Sequence, residues 1–205
     1  GAGKSTLGKE MPEPIFIQTS DGLEGLSVKA FPIAEKLQDV RDALQYLLKE
    51  KHSFKTLVID TLGGLERLVF AECCAELGLE FMTQKSVSSY PLAHKKIQAL
   101  METLNKLNQA RKMFVLLIGH SEISKFEDPT TSNYDRYALA LNEKIARFFL
   151  QEVDIVGFVN QKVMVRQENA DFSKTNKASG SSRFIFFEKS PAYYAKDHDY
   201  GLPSE

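Results

Sequence analysis

Cysteine is nearly missing from this chain. There are 2 in 205 residues, and they are neighbours, Cys73 and Cys74. Adjacent thiols have neither metal-ligand spacing nor the usual geometry of a structural disulfide, which argues against a metal-stapled or disulfide-stapled scaffold. They read as two reduced cysteines on a helix of a cytosolic protein. An excess of one charge is missing too: 26 Lys and Arg face 27 Asp and Glu, for a net charge of -1. No global basic field exists, so any nucleic-acid contact must come from a local patch. No apolar run approaches the roughly 20 residues that cross a membrane, no signal peptide is visible, and no internal repeat or interdomain linker stands out. What is present is 43% hydrophobic and 26% charged residues, ordinary globular composition. At this length one α/β domain over 1–205 with a buried core is the expectation.

The first six residues, Gly1-Ala2-Gly3-Lys4-Ser5-Thr6, read as the closing half of a phosphate-binding loop, G-x-x-x-x-G-K-S/T. Glycines let the backbone turn its N–H groups around a polyphosphate. Lys4 is placed to reach the β- and γ-phosphates, and the Ser5 hydroxyl to sit on Mg²⁺. The motif's first glycine and its preceding strand are not in the sequence, so the chain reads as cut inside the loop or as lacking its start.

Apolar periodicity predicts a short helix after this loop, stopped near Pro12, and a strand at Ile15-Phe16-Ile17 with a polar exit through Gln18-Thr19-Ser20-Asp21-Gly22. An amphipathic helix is predicted over 38–51, a strand at Thr56-Leu57-Val58-Ile59 ending in Asp60, and helices over 65–77 and up to about Lys112. Residues 81–89 read as loop. Met113 to Ile118 is the most apolar strand and ends at Gly119-His120. A polar segment, 121–137, precedes a helix carrying Leu141, Ile145, Phe148 and Phe149. Strands are then predicted over 155–160, 162–166 and 183–187, with a flexible stretch over 169–182. Alternating strands and helices imply a mainly parallel sheet flanked by helices, with antiparallel strands over 155–205 extending the same domain.

Ligands of open α/β sheets bind beyond the carboxyl ends of the strands. Asp60 and His120 each lie just past such an end, as does the group from Gln18 to Asp21. An acid at Asp60 orders the Mg²⁺ shell in a phosphate-loop NTPase; alone it reads equally as a turn cap. A His at position 120 can sense the γ-phosphate or its attacking water, although a lone His is more often structural. His52, His94 and His198 read as surface residues. The phosphate loop, the acid and the α/β alternation between them together point to an NTPase that binds ATP and Mg²⁺.

Several runs carry a family resemblance. Pro14-Ile15-Phe16-Ile17-Gln18-Thr19-Ser20-Asp21-Gly22-Leu23 is similar to an F-I-x-T-E-D-G-L segment, and Leu57-Val58-Ile59-Asp60-Thr61 continues it. Gly119-His120-Ser121-Glu122-Ile123-Ser124-Lys125-Phe126-Glu127-Asp128-Pro129, then Tyr134-Asp135-Arg136-Tyr137, is the most specific part. Pro191-Ala192-Tyr193-Tyr194-Ala195-Lys196 and Tyr200-Gly201-Leu202-Pro203 close it. In these runs the chain resembles phage-encoded RecA-like nucleotide-binding proteins, an ATPase group associated with single-strand annealing recombination. The resemblance implies a RecA-like P-loop NTPase core acting on DNA in phage recombination or repair, in the cytoplasm of a bacterial host. It implies nucleotide contacts at Gly1, Ala2, Gly3, Lys4, Ser5 and Thr6, a Mg²⁺-side acid at Asp60 and a γ-phosphate sensor at His120. It also implies a mobile DNA-facing or subunit-facing loop over 121–137, which contains Lys125. Arg136 becomes a candidate to reach a neighbouring subunit's phosphates; the alternative is a salt bridge to Asp135 or a nearby acid.

One departure matters. The family segment carries a Glu where this chain has Ser20, and a hydroxyl is no useful base near neutral pH. Asp21, Glu24 or Glu66 takes over, or hydrolysis is slow. In the final third, basic residues including Lys177 and Arg183 alternate with Phe and Tyr. That suits single-stranded DNA through phosphate contacts and stacking, with Lys177, Arg183 and Lys125 as candidate contacts; aromatic core filling is the alternative. The leading expectation is an ATP-dependent recombination protein forming a homo-oligomeric ring or filament, with a possible annealing or single-strand binding partner. A nucleotide-binding scaffold with weak or lost hydrolysis is the second reading, and a small-molecule or nucleoside kinase the third.

Overall fold

The computed structural model describes residues 3–23, 25–83, 86, 88–170, 173–198 and 200–203, with side chains described outside 162–170 and 173–182. In chain order the elements are α1 (Lys4–Glu10), β1 (Pro14–Gln18), α2 (Leu37–Lys49), β2 (Thr56–Asp60), α3 (Leu62–Leu77), α4 (Ser89–Arg111) and β3 (Phe114–Ile118). β4 (Ser121–Phe126), β5 (Tyr134–Leu139), α5 (Glu143–Glu152), β6 (Ile155–Val156), β7 (Phe158–Ala170), β8 (Ser173–Phe186) and β9 (Lys196–Asp197) follow. They fall into two compact units. A sheet unit holds Ser5–Glu122 and Leu139–Phe149, and a hairpin unit holds Gly1–Lys4, Ile123–Ala138 and Leu150–Glu205.

The sheet unit is built on a parallel sheet of order β1-β2-β3. Its register pairs Pro14 with Thr56 and Thr56 with Phe114 at one end, and Gln18 with Asp60 and Asp60 with Ile118 at the other, so the three strands end level with one another. β2 is buried at every position, as the central strand of a parallel sheet must be, and its Leu57-Val58-Ile59 run supplies that apolar surface. Leu37, Val40, Leu44 and Leu47 of α2 are buried at helical spacing. So are Leu65, Leu68 and Val69 of α3 and Ile97, Leu100, Leu104 and Leu107 of α4. Phe16, Leu23, Val58 and Ile118 form a separate cluster, and a Cβ on Gly8 would lie 3.0 Å from Phe16 and 3.1 Å from Val58, so α1 sits close on it. The outer edge of β1 is covered by 29–34: Phe16 N donates to Lys29 O (3.0 Å), Phe31 N to Phe16 O (2.9 Å) and Ala34 N to Gln18 O (2.8 Å). α3 begins at Leu62, three residues before the apolar periodicity does, because Thr61 caps it. It ends at Gly78, whose left-handed backbone (φ 63°) suits glycine.

In the hairpin unit, β7 and β8 pair antiparallel from Phe158 beside Phe186 to Ala170 beside Ser173. Within 169–182, which the sequence leaves between strands, the described backbone belongs to the β7–β8 ladder. Phe158 stacks on Tyr193 with ring centroids 4.5 Å apart, and Tyr137 (5.0 Å from Phe158) and Phe186 (5.4 Å from Tyr193) close a four-ring cluster. These aromatics therefore pack on one another. Lys196 Nζ donates to Gln151 O (2.9 Å) and Val153 O (2.6 Å), and β6 pairs with β9. The polar segment 121–137 likewise departs from expectation: β4 and β5 pair in a two-stranded sheet. Alternation of Ser124 and Phe126 with exposed Ile123 and Lys125 is a strand signature that its polarity hides. His52 and His94 are half-buried against Phe54 and Phe148 instead of lying free on the surface, while His198 is exposed. Cys73 is buried and, like Cys74, unbridged.

Candidate nucleotide site

The site forms where β1, β2 and β3 end together. Asp60, the last residue of β2, is buried, with 7% of its surface exposed. Ser5 Oγ, in the first turn of α1, donates to Asp60 Oδ2 at 2.6 Å. The two residues are 55 positions apart in the chain. A hydroxyl and a carboxylate oxygen this close make the hard-oxygen donor pair that suits Mg²⁺, which keeps several waters and takes few protein ligands.

A second bridge locks the strand ends. Thr19 N donates to Asp60 O (2.9 Å), Thr19 Oγ1 donates to Thr61 O (2.6 Å), and Thr61 N donates back to Thr19 Oγ1 (2.8 Å). Both threonines are buried, so each polar atom here needs its partner. Thr61 Oγ1 accepts from Gly64 N at 3.2 Å and starts α3 immediately after the acid. A Cβ on Gly64 would overlap Thr19 O and Oγ1, so only glycine lets α3 approach the β1 exit this closely. From the next turn, Arg67 Nη2 donates to Thr19 O at 3.1 Å. Glu66, beside it, accepts from Asn142 N at 2.8 Å. Burial holds the Glu66 carboxyl above its ordinary range, and the Asn142 hydrogen bond offsets part of that. His120 is exposed two residues beyond β3, its carbonyl accepting from Ala140 N at 2.8 Å.

The structure brings Ser5 and Asp60 together, with Lys4 opening α1 and Thr6 next in the same turn. Asp21 is exposed beyond the β1 exit, and Ser20 is half-buried. Gly1, Ala2 and Glu24 lie outside the described residues. The remaining candidates belong to the hairpin unit. Lys125 is exposed on β4. The Arg136 guanidinium lies 3.7 Å from the centre of the Phe126 ring, a cation–π contact in place of the ion pair with Asp135. Arg183 is exposed, and its Nη1 lies 3.0 Å from where a Gly3 Cβ would stand. Lys177 faces Arg166 in the β7–β8 register, its side chain outside the described ones.

A family model described as AAA domain matches residues 1–198. The chain belongs to the AAA domain family. This makes it an AAA-type P-loop NTPase of the α/β class and points to nucleotide binding and ATPase activity, in agreement with the Ser5–Asp60 pair. No curated protein and no solved structure matches the chain. In this AAA domain the residues that sequence reasoning missed are Gly64 and Arg67, and Thr19 was flagged only as one of the Gln18–Asp21 group without a role of its own. The Gly63-Gly64 pair just after the acid was a legible signal, since paired glycines at a helix start mark a close approach. A surface-type Arg carries none.

Proposed function

We propose that this AAA domain is a RecA-like, Mg²⁺-dependent ATPase that acts on single-stranded DNA in phage recombination or repair. The observation that carries the nucleotide part is the 2.6 Å contact between Ser5 Oγ and Asp60 Oδ2. Ser5 and Asp60 would hold Mg²⁺, which when bound neutralises phosphate charge. Lys4 supplies a positive charge for the β- and γ-phosphates, and His120, at the exit of the neighbouring strand, is the γ-phosphate sensor. The DNA part rests on the family-like runs and on Lys125, Lys177 and Arg183. Assembly into a ring or filament fits Arg136 as a residue that serves a neighbouring subunit's nucleotide. ATP turnover with and without single-stranded DNA, run beside Lys4→Ala, tests the reading. DNA stimulates turnover, and Lys4→Ala lowers it by at least about a hundredfold, the scale of a lost transition-state charge contact. Turnover unchanged in Lys4→Ala overturns the assignment.

A second reading, a nucleotide-binding scaffold with little hydrolysis, is favoured by one observation: Ser20 stands at the β1 exit and the nearest carboxylate along the chain, Asp21, points to solvent. Binding of ATP without turnover, whether or not DNA is present, would select it.

A further inference from the structure

We propose that Arg67 binds the terminal phosphate of a bound nucleoside triphosphate, an inference that rests on the ATP-binding reading above. α3 starts at the residue after Thr61, and its second turn carries Arg67, whose guanidinium reaches the residue that follows β1. The close approach at Gly64 brings that turn against Thr19, and the Arg67 guanidinium reaches Thr19 O with Nη2 at 3.1 Å. Thr19 N is itself bonded to Asp60 O at 2.9 Å. Two hydrogen bonds thus link the guanidinium to the main chain of the acid that Ser5 contacts.

The other guanidiniums of the sheet unit are spent elsewhere. Arg41 pairs with Glu72 at 2.7 Å, Arg147 pairs with Glu143 at 2.7 Å, and Arg111 donates to the carbonyls of Leu47 and Glu50. Arg67 has one carbonyl and, among the described residues, no carboxylate within ion-pair distance. It is also exposed. A guanidinium is a rigid fork of five donors matched to two oxygens of a carboxylate or phosphate. Held by one nitrogen to a main-chain carbonyl, it keeps its remaining donors for an anion arriving over the strand ends. A triphosphate carries one phosphate further than a diphosphate, so a guanidinium that meets that third phosphate separates the two.

The test measures binding of ATP, ADP and single-stranded DNA to the wild-type protein, Arg67→Ala and Arg67→Lys, with the melting temperature of each. Arg67→Ala weakens ATP by about ten- to a hundredfold, the range for a charge-assisted contact, and leaves ADP within about twofold. Arg67→Lys, which keeps the charge without the fork, restores part of the ATP affinity. Equal weakening of ATP and ADP together with a lower melting temperature would mean that Arg67 only holds the Thr19 carbonyl, and overturns the proposal. So would loss of DNA binding at an unchanged ATP-to-ADP ratio, which assigns the guanidinium to a backbone phosphate of DNA. A wild-type protein that binds neither nucleotide removes the ATP-binding reading itself, and this inference with it.

Discussion

Asp60 owes its place to the strand it ends, and its chemistry to the residues around Thr19. A buried carboxylate with one hydroxyl partner is costly unless its surroundings stay ordered, and the Thr19–Thr61 exchange supplies that order. Gly64 is the position on which the arrangement turns, because a Cβ there meets main-chain atoms that cannot rotate away. Gly64→Ala should destabilise the protein by about 1–3 kcal/mol, the usual cost of overpacking, seen as a melting temperature lower by several degrees. It should also weaken nucleotide binding, since α3, Thr61 and Arg67 shift together. Unchanged stability and binding would show that the approach of α3 to Thr19 is looser than described.

Between elements, one charged cluster ties α2, α3 and α4 together. Glu72 of α3 accepts from Arg41 of α2 (2.8 and 2.7 Å) and from Lys96 of α4 (2.6 Å), and Lys96 also reaches Glu76 (2.6 Å). The bidentate Arg41 contact is the main cause that lowers the Glu72 carboxyl from 4.5 to about 2. Its folded pKa lies below its unfolded one. The stability it contributes is therefore complete above about pH 5 and is lost as pH falls through 4.5 towards 2. With solvent screening of the partly exposed Arg41, we expect about 1–3 kcal/mol from it at pH 7. Glu72→Gln should lower the melting temperature at pH 7 and converge with wild type near pH 2. Parallel curves for the two proteins across that range would contradict the pairing. Glu66 acts in the opposite sense. Its carboxyl is raised by burial, so ionising it costs the fold stability as pH rises through its folded pKa.

Across the whole molecule, burial is uneven. β2 is buried along its length, whereas the first three residues of β4 are exposed and no residue of β4 is fully buried. Amide exchange tracks local opening, which is rarest where apolar contacts surround the hydrogen bonds. Exchange in the Leu57–Ile59 amides is expected to be the slowest in the chain, at least about a hundredfold slower than in Ile123–Lys125. Comparable rates in the two strands would mean that the central sheet is not the stable core. Among the described residues no helix is long and apolar enough to cross a membrane, as the short apolar runs required.

Much of this was legible in the residues. The runs at Ile15–Ile17, Thr56–Asp60 and Met113–Ile118 gave three strands, because a buried parallel strand must be continuously apolar, and helical spacing of leucines gave α2 and α4. The G-K-S-T run and the acid that ends β2 marked the two residues that the structure brings into contact, Ser5 and Asp60. Polar strands escaped: β4 and β5 and the described part of 169–182 read as loop or flexible segment, since one-sided burial leaves a weak alternation and pairing is settled by the partner strand. The fate of the Phe and Tyr residues near the end was likewise open, and tertiary packing stacked Phe158, Phe186 and Tyr193 together. The sequence by itself determined the residue types that phosphate chemistry requires and the strands that carry them. Only the tertiary structure decided that Ser5 meets Asp60, that Thr19 clasps Thr61 and that Arg67 turns towards the same strand end. Contacts between residues 42 to 55 positions apart depend on register and helix placement, and those are properties of the packed sheet and not of any one segment.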